Sequence, residues 1–464
     1  MRRLFPFLAF AVSALALPSP EAWIPLQWPS EDPASLSRLE KSPFNCLIQS
    51  SPHWSAAFVR AAHAQNRVLL AQPSSSSPNA LANSLAEAKR ALDLGYDGLL
   101  WEGDAAALAP LRALGKPVVH LGLRSEIPLD ANAPPIIGTR QGVWAGINPQ
   151  DDDSHKAAPS GGPWIDTNSG FLRYLRAATD RTVWISAPPP NATKVPLSRY
   201  LMLLGDAGML GARWVLNLPP DFFANLLQGE TKATKDFARL SQLASFLEAH
   251  RSWSRNPAYG QLAVIEDVAN GALLSGSILD MIGVKHTPVR PVPTRALSPA
   301  AFADAKMAVN VDPPSLSPEQ TQIVRGFTRS GGTVLTAPPD WRMPEPQPGQ
   351  VTLGDKDVEK LDQIWKEVNT MTGRRNLGAR LFNVSSMLSS MTVSPDAKTI
   401  YIYLTNYSDY PVDTIAIHLL GKFSKATVHW PERPAKVLEL YDNEDGSGAD
   451  IDILESTAIL VAEK

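Results

Sequence analysis

Between residues 44 and 218 short apolar runs recur with helical patterns between them, and this alternation restricts the chain to very few folds. The candidate strands are 44–49, 67–72, 96–101, 117–123, a weaker one within 136–147, then 163–168, 182–186 and 212–218. Several are almost continuously apolar, as parallel strands covered on both faces are. Helices fit the intervening segments 53–65, 80–94, 105–114, 170–178 and 197–210, and Gly95, Gly115 and Gly211 stand where left-handed caps end them. Strand and helix in regular alternation imply a parallel sheet, and eight such units imply closure into a (β/α)8 TIM-type barrel. The stretch 124–162, rich in Pro, Asp and Asn, lacks a helical pattern, and a long helix over 231–251 closes the unit.

Downstream the pattern restarts on a smaller scale, with strands at 261–265, 307–311 and 333–337 and helices at 271–281 and 318–330. These predict a small open α/β domain of flavodoxin type. Short β-branched runs divided by turn residues after 391 predict an antiparallel β-sandwich. The expected organisation is a signal peptide over 1–22, the barrel over 23–255, the α/β domain over 256–345, a linker and helix over 346–390, and the sandwich over 391–464. The signal peptide is read from Arg2-Arg3 ahead of an apolar run that is too short to span a bilayer. Export to the periplasm or beyond is therefore expected, with no membrane span. A net charge of −3 without basic clusters argues against nucleic acid as a partner. Cys46 is the only cysteine, so no internal disulfide forms. No cofactor is expected, since Glu266-Asp267 is followed by no Gly-rich phosphate loop, and no ligand spacing predicts a metal site; Asp151-Asp152-Asp153 reads as a solvated loop.

Residues 314–338, with the helix start Leu316-Ser317-Pro318-Glu319-Gln320 and the helix end Arg329-Ser330-Gly331-Gly332-Thr333, resemble the middle domain of one family. It is that of the β-galactosidase-like glycoside hydrolases, whose amidotransferase-like middle domain mediates trimerisation, and the three-domain order is similar to theirs. The resemblance implies a barrel glycosidase, a homo-oligomer formed through the small α/β domain, and catalytic glutamates at the ends of the fourth and seventh strands. On the strand count above, the fourth ends in Arg124-Ser125-Glu126 and the seventh in Ser186-Ala187-Pro188, so the seventh carries no carboxylate. The family's catalytic pair does not carry over on that count.

Reacting groups of a barrel sit where its strands run out. Gln49, Gln72, Glu102 with Asp104, Arg124 with Glu126, Asp166 with Asn168, Ser186 and Asn217 hold such places. Glycoside cleavage needs one protonated and one ionised carboxyl, about 5–5.5 Å apart for retention and about 6.5–9.5 Å for inversion. Asp166 is the first catalytic candidate, because alternation sets it beside Trp164 and Asn168, and Glu102 is the second. Trp101, Trp144 and Trp164 are candidate sugar-stacking surfaces, and Asp104, Arg124, Glu126, Asn168 and Asn217 candidate substrate ligands. A plainer reading stands beside each: Asp104 and Asp166 also suit helix caps, Glu126 a solvated charge, and the indoles core filling. The expected function is an exported glycoside hydrolase acting on a carbohydrate substrate; the alternative is a catalytically inactive relative that binds carbohydrate or serves as an oligomeric scaffold.

Overall fold

The computed structural model describes residues 17–74, 80–144, 167–189, 195–267, 272–283, 286–338, 355–384 and 386–464. Its first sheet contains eight parallel strands: β1 (Pro25–Gln27), β2 (Cys46–Ser50), β3 (Val68–Gln72), β4 (Gly98–Trp101), β5 (Val118–Gly122), β6 (Ile136–Thr139), β7 (Thr182–Ile185) and β8 (Arg213–Trp214). A parallel bridge between Leu26 and Leu216 joins the last strand to the first and closes the barrel. The expected count of eight is met by a different set. Pro25–Gln27 is an additional first strand. The strand expected over 163–168 is replaced by non-strand backbone at Thr167 and Asn168, its other residues lying outside those described. Every strand expected from 44–49 to 136–147 therefore moves up by one, and 96–101 becomes the fourth.

Alternation along these strands separates two cores. Cys46, Ile48, Val68, Leu70, Leu100, Val119, Leu121, Ile136, Trp184 and Val215 point inward and fill the barrel, with Trp23 joining them. Their neighbours Leu47, Leu69, Leu99, Ile137, Val183 and Leu216 face outward onto the helices. Gly138 makes the inner layers fit, because a Cβ there would lie 2.3 Å from Leu121 Cδ2 and 2.9 Å from the Trp184 carbonyl. Trp184 thus fills the interior. Burial inside the barrel pushes the Cys46 thiol up and keeps it protonated.

Four further parallel strands, β9 (Leu262–Glu266), β10 (Val289–Pro293), β11 (Met307–Asn310) and β12 (Thr333–Thr336), form an open sheet in the order β10-β9-β11-β12. That order is flavodoxin-like, and β10, Pro-rich, is the strand the sequence pattern missed. The helix Ala272–Gly283 of this layer crosses Ser169–Ala178 of the barrel so closely that a Cβ on Gly170 would overlap the Gly276 carbonyl. Among the described residues nine antiparallel strands follow, in two facing sheets around one apolar core. Ala379–Phe382 and Met387–Val393 belong to these sheets, so the sandwich begins upstream of residue 391.

Candidate functional site

Extending the inward register by two residues carries each strand from apolar core to barrel mouth. Ile48 is followed by Ser50, Leu70 by Gln72, Leu100 by Glu102, Trp184 by Ser186 and Val215 by Asn217. With Gln27 from β1, these six polar residues line one cavity of about 310 Å³ at the C-terminal ends of the strands. Its size is at the lower end of the range of small-ligand sites, about 300–1,000 Å³. Pro29, Pro52, His53 and Pro188 supply its less polar wall.

Glu102 is at the centre of a directed hydrogen-bond chain. Gln27 Nε2 donates to Gln72 Oε1 (3.0 Å), Gln72 Nε2 donates to Glu102 Oε2 (3.0 Å), and Ser186 Oγ donates to Glu102 Oε1 (3.2 Å). Arg140, at the end of β6, donates to the Glu102 backbone carbonyl at 2.6 Å. Burial raises the pKa of the Glu102 carboxyl; the Ser186 hydroxyl, the Arg140 charge and the Gln72 amide oppose the shift without cancelling it. When this carboxyl takes a proton, an amide N–H cannot accept it, so Oε1 beside the Ser186 hydroxyl is the oxygen able to carry it. Among the described residues lining the cavity, Glu102 is the one carboxylate.

The other residues singled out in the sequence divide three ways. Asn217 lines the same cavity as Glu102. Asp166 and Trp164 lie outside the described residues. The remainder serve the scaffold. Trp101 is buried and donates its indole N–H to the Asp104 carbonyl (2.9 Å), while Asp104 Oδ1 accepts from Ala106 N (2.8 Å) and caps the turn Ala105–Ala107. Trp144 donates to the Pro188 carbonyl (3.0 Å) and meets Trp214 and Tyr200 edge to face, so no open indole surface is left for a sugar. Glu126 is exposed, and its Oε2 accepts from Leu123 N (2.8 Å) at the start of its own turn.

Arg124 and Asn168 belong to a closed polar network on the outer side of the barrel. The Arg124 guanidinium donates to the Gln141 carbonyl (3.1 Å) and to Asn168 Oδ1 (3.2 Å), and covers the Phe171 ring. Burial pulls its pKa down to about 10. Asn168, wholly buried, donates through its backbone and side-chain amides to Asp206 Oδ2 (2.9 and 2.8 Å), and Tyr407 of the sandwich donates to Asp206 Oδ1 (2.6 Å). Asp280 of the α/β layer accepts from the Thr167 (2.8 Å) and Ser169 hydroxyls. Arg124 and Asn168 thus fasten the barrel's outer layer and, through Asp206, tie it to the sandwich rather than bind a ligand, while Thr167 and Ser169 make the link to the α/β layer.

Gln27 and Arg140 escaped the sequence reading. The signal for both was parity: each stands two residues beyond an inward position of its strand. Among the described residues no group of three or more His, Cys, Asp or Glu gathers as metal ligands would, and no helix is long and apolar enough to cross a membrane.

Neither a protein-family model nor a curated protein sequence matches the chain. Solved structures match its fold. The α-L-fucosidase isoenzyme 2 from Paenibacillus thiaminolyticus aligns with a TM-score of 0.58 at 9% identity, over 95% of this chain and 99% of its own. A β-galactosidase from Rahnella sp. R3 aligns at 0.54 and 8%, over 96% and 98%. A catalytic mutant of a GH42 β-galactosidase from G. stearothermophilus aligns at 0.51 and 10%, over 95% and 98%. Over about 95% of its length the chain therefore shares the fold of these glycoside hydrolases, with its TIM-type barrel, open α/β sheet and antiparallel sandwich.

Proposed function

We propose that the chain is an exported glycoside hydrolase that cleaves oligo- or polysaccharide at the barrel mouth, with Glu102 as its general acid. The observation that carries this reading is the placement of Glu102. It ends the fourth strand, where the resemblance puts an acid/base glutamate, and its carboxyl is held above the usual range on the wall of a cavity lined by amides and hydroxyls. A carboxyl so held stays protonated further toward neutral pH and can hand that proton to a leaving glycosidic oxygen. Gln27, Gln72, Asn217 and Ser50 supply the donors and acceptors that a neutral, hydroxylated ligand needs. Asp166 remains the candidate for the second carboxylate, as base or nucleophile, on its place in the sequence. Homo-oligomerisation through the small α/β sheet belongs to the same reading, and light scattering of the purified protein tests it.

The test is hydrolysis of a panel of aryl glycosides and plant or microbial oligosaccharides by the purified protein and by its Glu102→Gln and Asp166→Asn variants. Loss of activity in both supports the assignment; activity unchanged in Glu102→Gln overturns it. The anomer first formed, read by proton NMR, reports the separation of the two carboxyls.

One observation favours a second reading, a catalytically silent barrel that binds saccharide. Ser186 ends the seventh strand, where the resemblance puts the second glutamate. Saccharide binding by calorimetry, weakened in Glu102→Gln, without hydrolysis of any substrate would establish that reading instead.

A further inference from the structure

A second cavity, of about 470 Å³, lies at the other end of the barrel, where barrel, α/β sheet and sandwich meet. Arg173 and Arg176 enter it from the later turns of the helix Ser169–Ala178, which leads into the start of β7, so it opens on the N-terminal face, away from Glu102. Arg255 follows the last barrel helix, and Arg290 comes from β10. Four guanidiniums thus share one cavity with a single lining carboxylate, Asp180, and among the described residues none of the four makes an ion pair within 4 Å.

Their hydrogen-bonding capacity is also unspent. Arg173 is 6% exposed and donates through Nη2 to the Ser389 carbonyl (2.5 Å), yet its Nε has no acceptor. Arg176 Nε and both Nε and Nη2 of Arg290 are likewise buried without a partner. Leaving such donors and charges unmatched is costly, and guanidinium forks match the geometry of phosphoryl, sulfate and carboxylate groups. The nearby acids do not pair with them: Asp280 and Asp206, whose charges favour the Arg173 guanidinium, are engaged by hydroxyl and amide donors, Glu248 by Arg213, and neither Asp180 nor Asp304 lies within 4 Å of the Arg176 or Arg290 guanidinium as an ion pair. Pro257, Pro291, Pro293, Ala300 and Met391 supply apolar lining to the same cavity.

We infer that this junction cavity binds an organic oxyanion, its phosphoryl, sulfate or carboxylate group held by Arg173, Arg176 and Arg290 and its compact body lying against the apolar lining. Bound there, the anion links all three parts of the fold, and it stabilises the folded chain by mass action.

Calorimetric titration and thermal melting with inorganic phosphate, sulfate, glucose 6-phosphate and galacturonate test this, each against sodium chloride at matched ionic strength. Saturable binding and a raised Tm are expected, with the organic anions tighter than the inorganic ones. Arg176→Met and Arg290→Met should each weaken binding about tenfold or more, as loss of a charge-assisted hydrogen bond does. Both variants should melt no lower than the parent without ligand, since each removes a partly buried charge with unpartnered N–H donors, and Glu102→Gln should bind as the parent does. Anions that act only as chloride does would overturn the inference, as would undiminished binding in both arginine variants. Inorganic anions binding as tightly as the organic ones would overturn the assignment of an organic body.

Discussion

Polar residues that look alike in the sequence meet opposite fates at the barrel mouth and on the barrel's outer side. At the barrel mouth, Glu102, Gln72, Gln27 and Ser186 face inward, keep a cavity in front of them, and hold a carboxyl that water or ligand can reach. On the outer side, Arg124, Asn168, Asp206 and Tyr407 are joined in one hydrogen-bond network, and Asp280 is engaged nearby by the Thr167 and Ser169 hydroxyls. The first arrangement can do chemistry; the second joins three layers of structure. For Glu102 after β4 and Arg124 after β5, the side of the sheet to which the side chain turns decides between the two fates.

Substitutions should therefore separate catalysis from stability. The largest effect is expected for Glu102→Gln, which removes the proposed proton donor. A fall of about 10²–10⁴ in kcat/KM is predicted, with the melting temperature unchanged or raised because a half-buried charge is gone. An equal loss of stability would erase the contrast between the two groups. Asp206→Ala should do the reverse. It leaves the Tyr407 hydroxyl and two Asn168 N–H donors without their acceptor, a loss of about 3 kcal/mol in denaturant melts, with kcat/KM of the folded fraction retained.

Asp280 sharpens the contrast through pH. Burial raises its carboxyl to about 7 against 3.8 in the unfolded chain, outweighing the Ser169 and Thr167 hydroxyls. A carboxyl shifted upward gives stability that is complete below the unfolded value and lost as pH rises through the folded one. The parent should thus weaken between about pH 4 and pH 7, whereas Asp280→Asn, which stays neutral, should lack that part of the slope in melts at pH 4.5 and 7.5. The smallest effect is expected for Asp104→Ala, which removes a cap at Ala106 N and should cost about 1 kcal/mol. KM should not change, since Asp104 lies outside the cavity.

Much of the fold was legible because parallel strands and capped helices leave strong local marks: Gly95, Gly115 and Gly211 all adopt positive φ at helix ends. The first strand left none. Pro25-Leu26-Gln27 is three residues long, set among tryptophans and prolines, and is held by β2 and by its bridge to Leu216 rather than by its own propensity. Missing it displaced the strand count and set Glu126, instead of Glu102, at the end of the fourth strand. Glu102 and Asn217 were recognisable as strand-end residues, but Arg124 and Asn168 carried the same mark. Whether a strand-end side chain turns inward depends on the register of the whole closed sheet, which local sequence does not state. The indoles misled for a related reason. Trp101 and Trp144 are as apolar as a sugar platform must be, and the fold uses that area against its own helices.

The most direct test of the barrel mouth as the working site is a carbon-13 NMR titration of the Glu102 carboxyl, assigned by its absence from the Glu102→Gln spectrum, with and without a saccharide that the protein hydrolyses or binds. The account predicts titration above the range of ordinary glutamates and a further change when saccharide is present. Titration like that of an exposed glutamate, indifferent to saccharide, would contradict it.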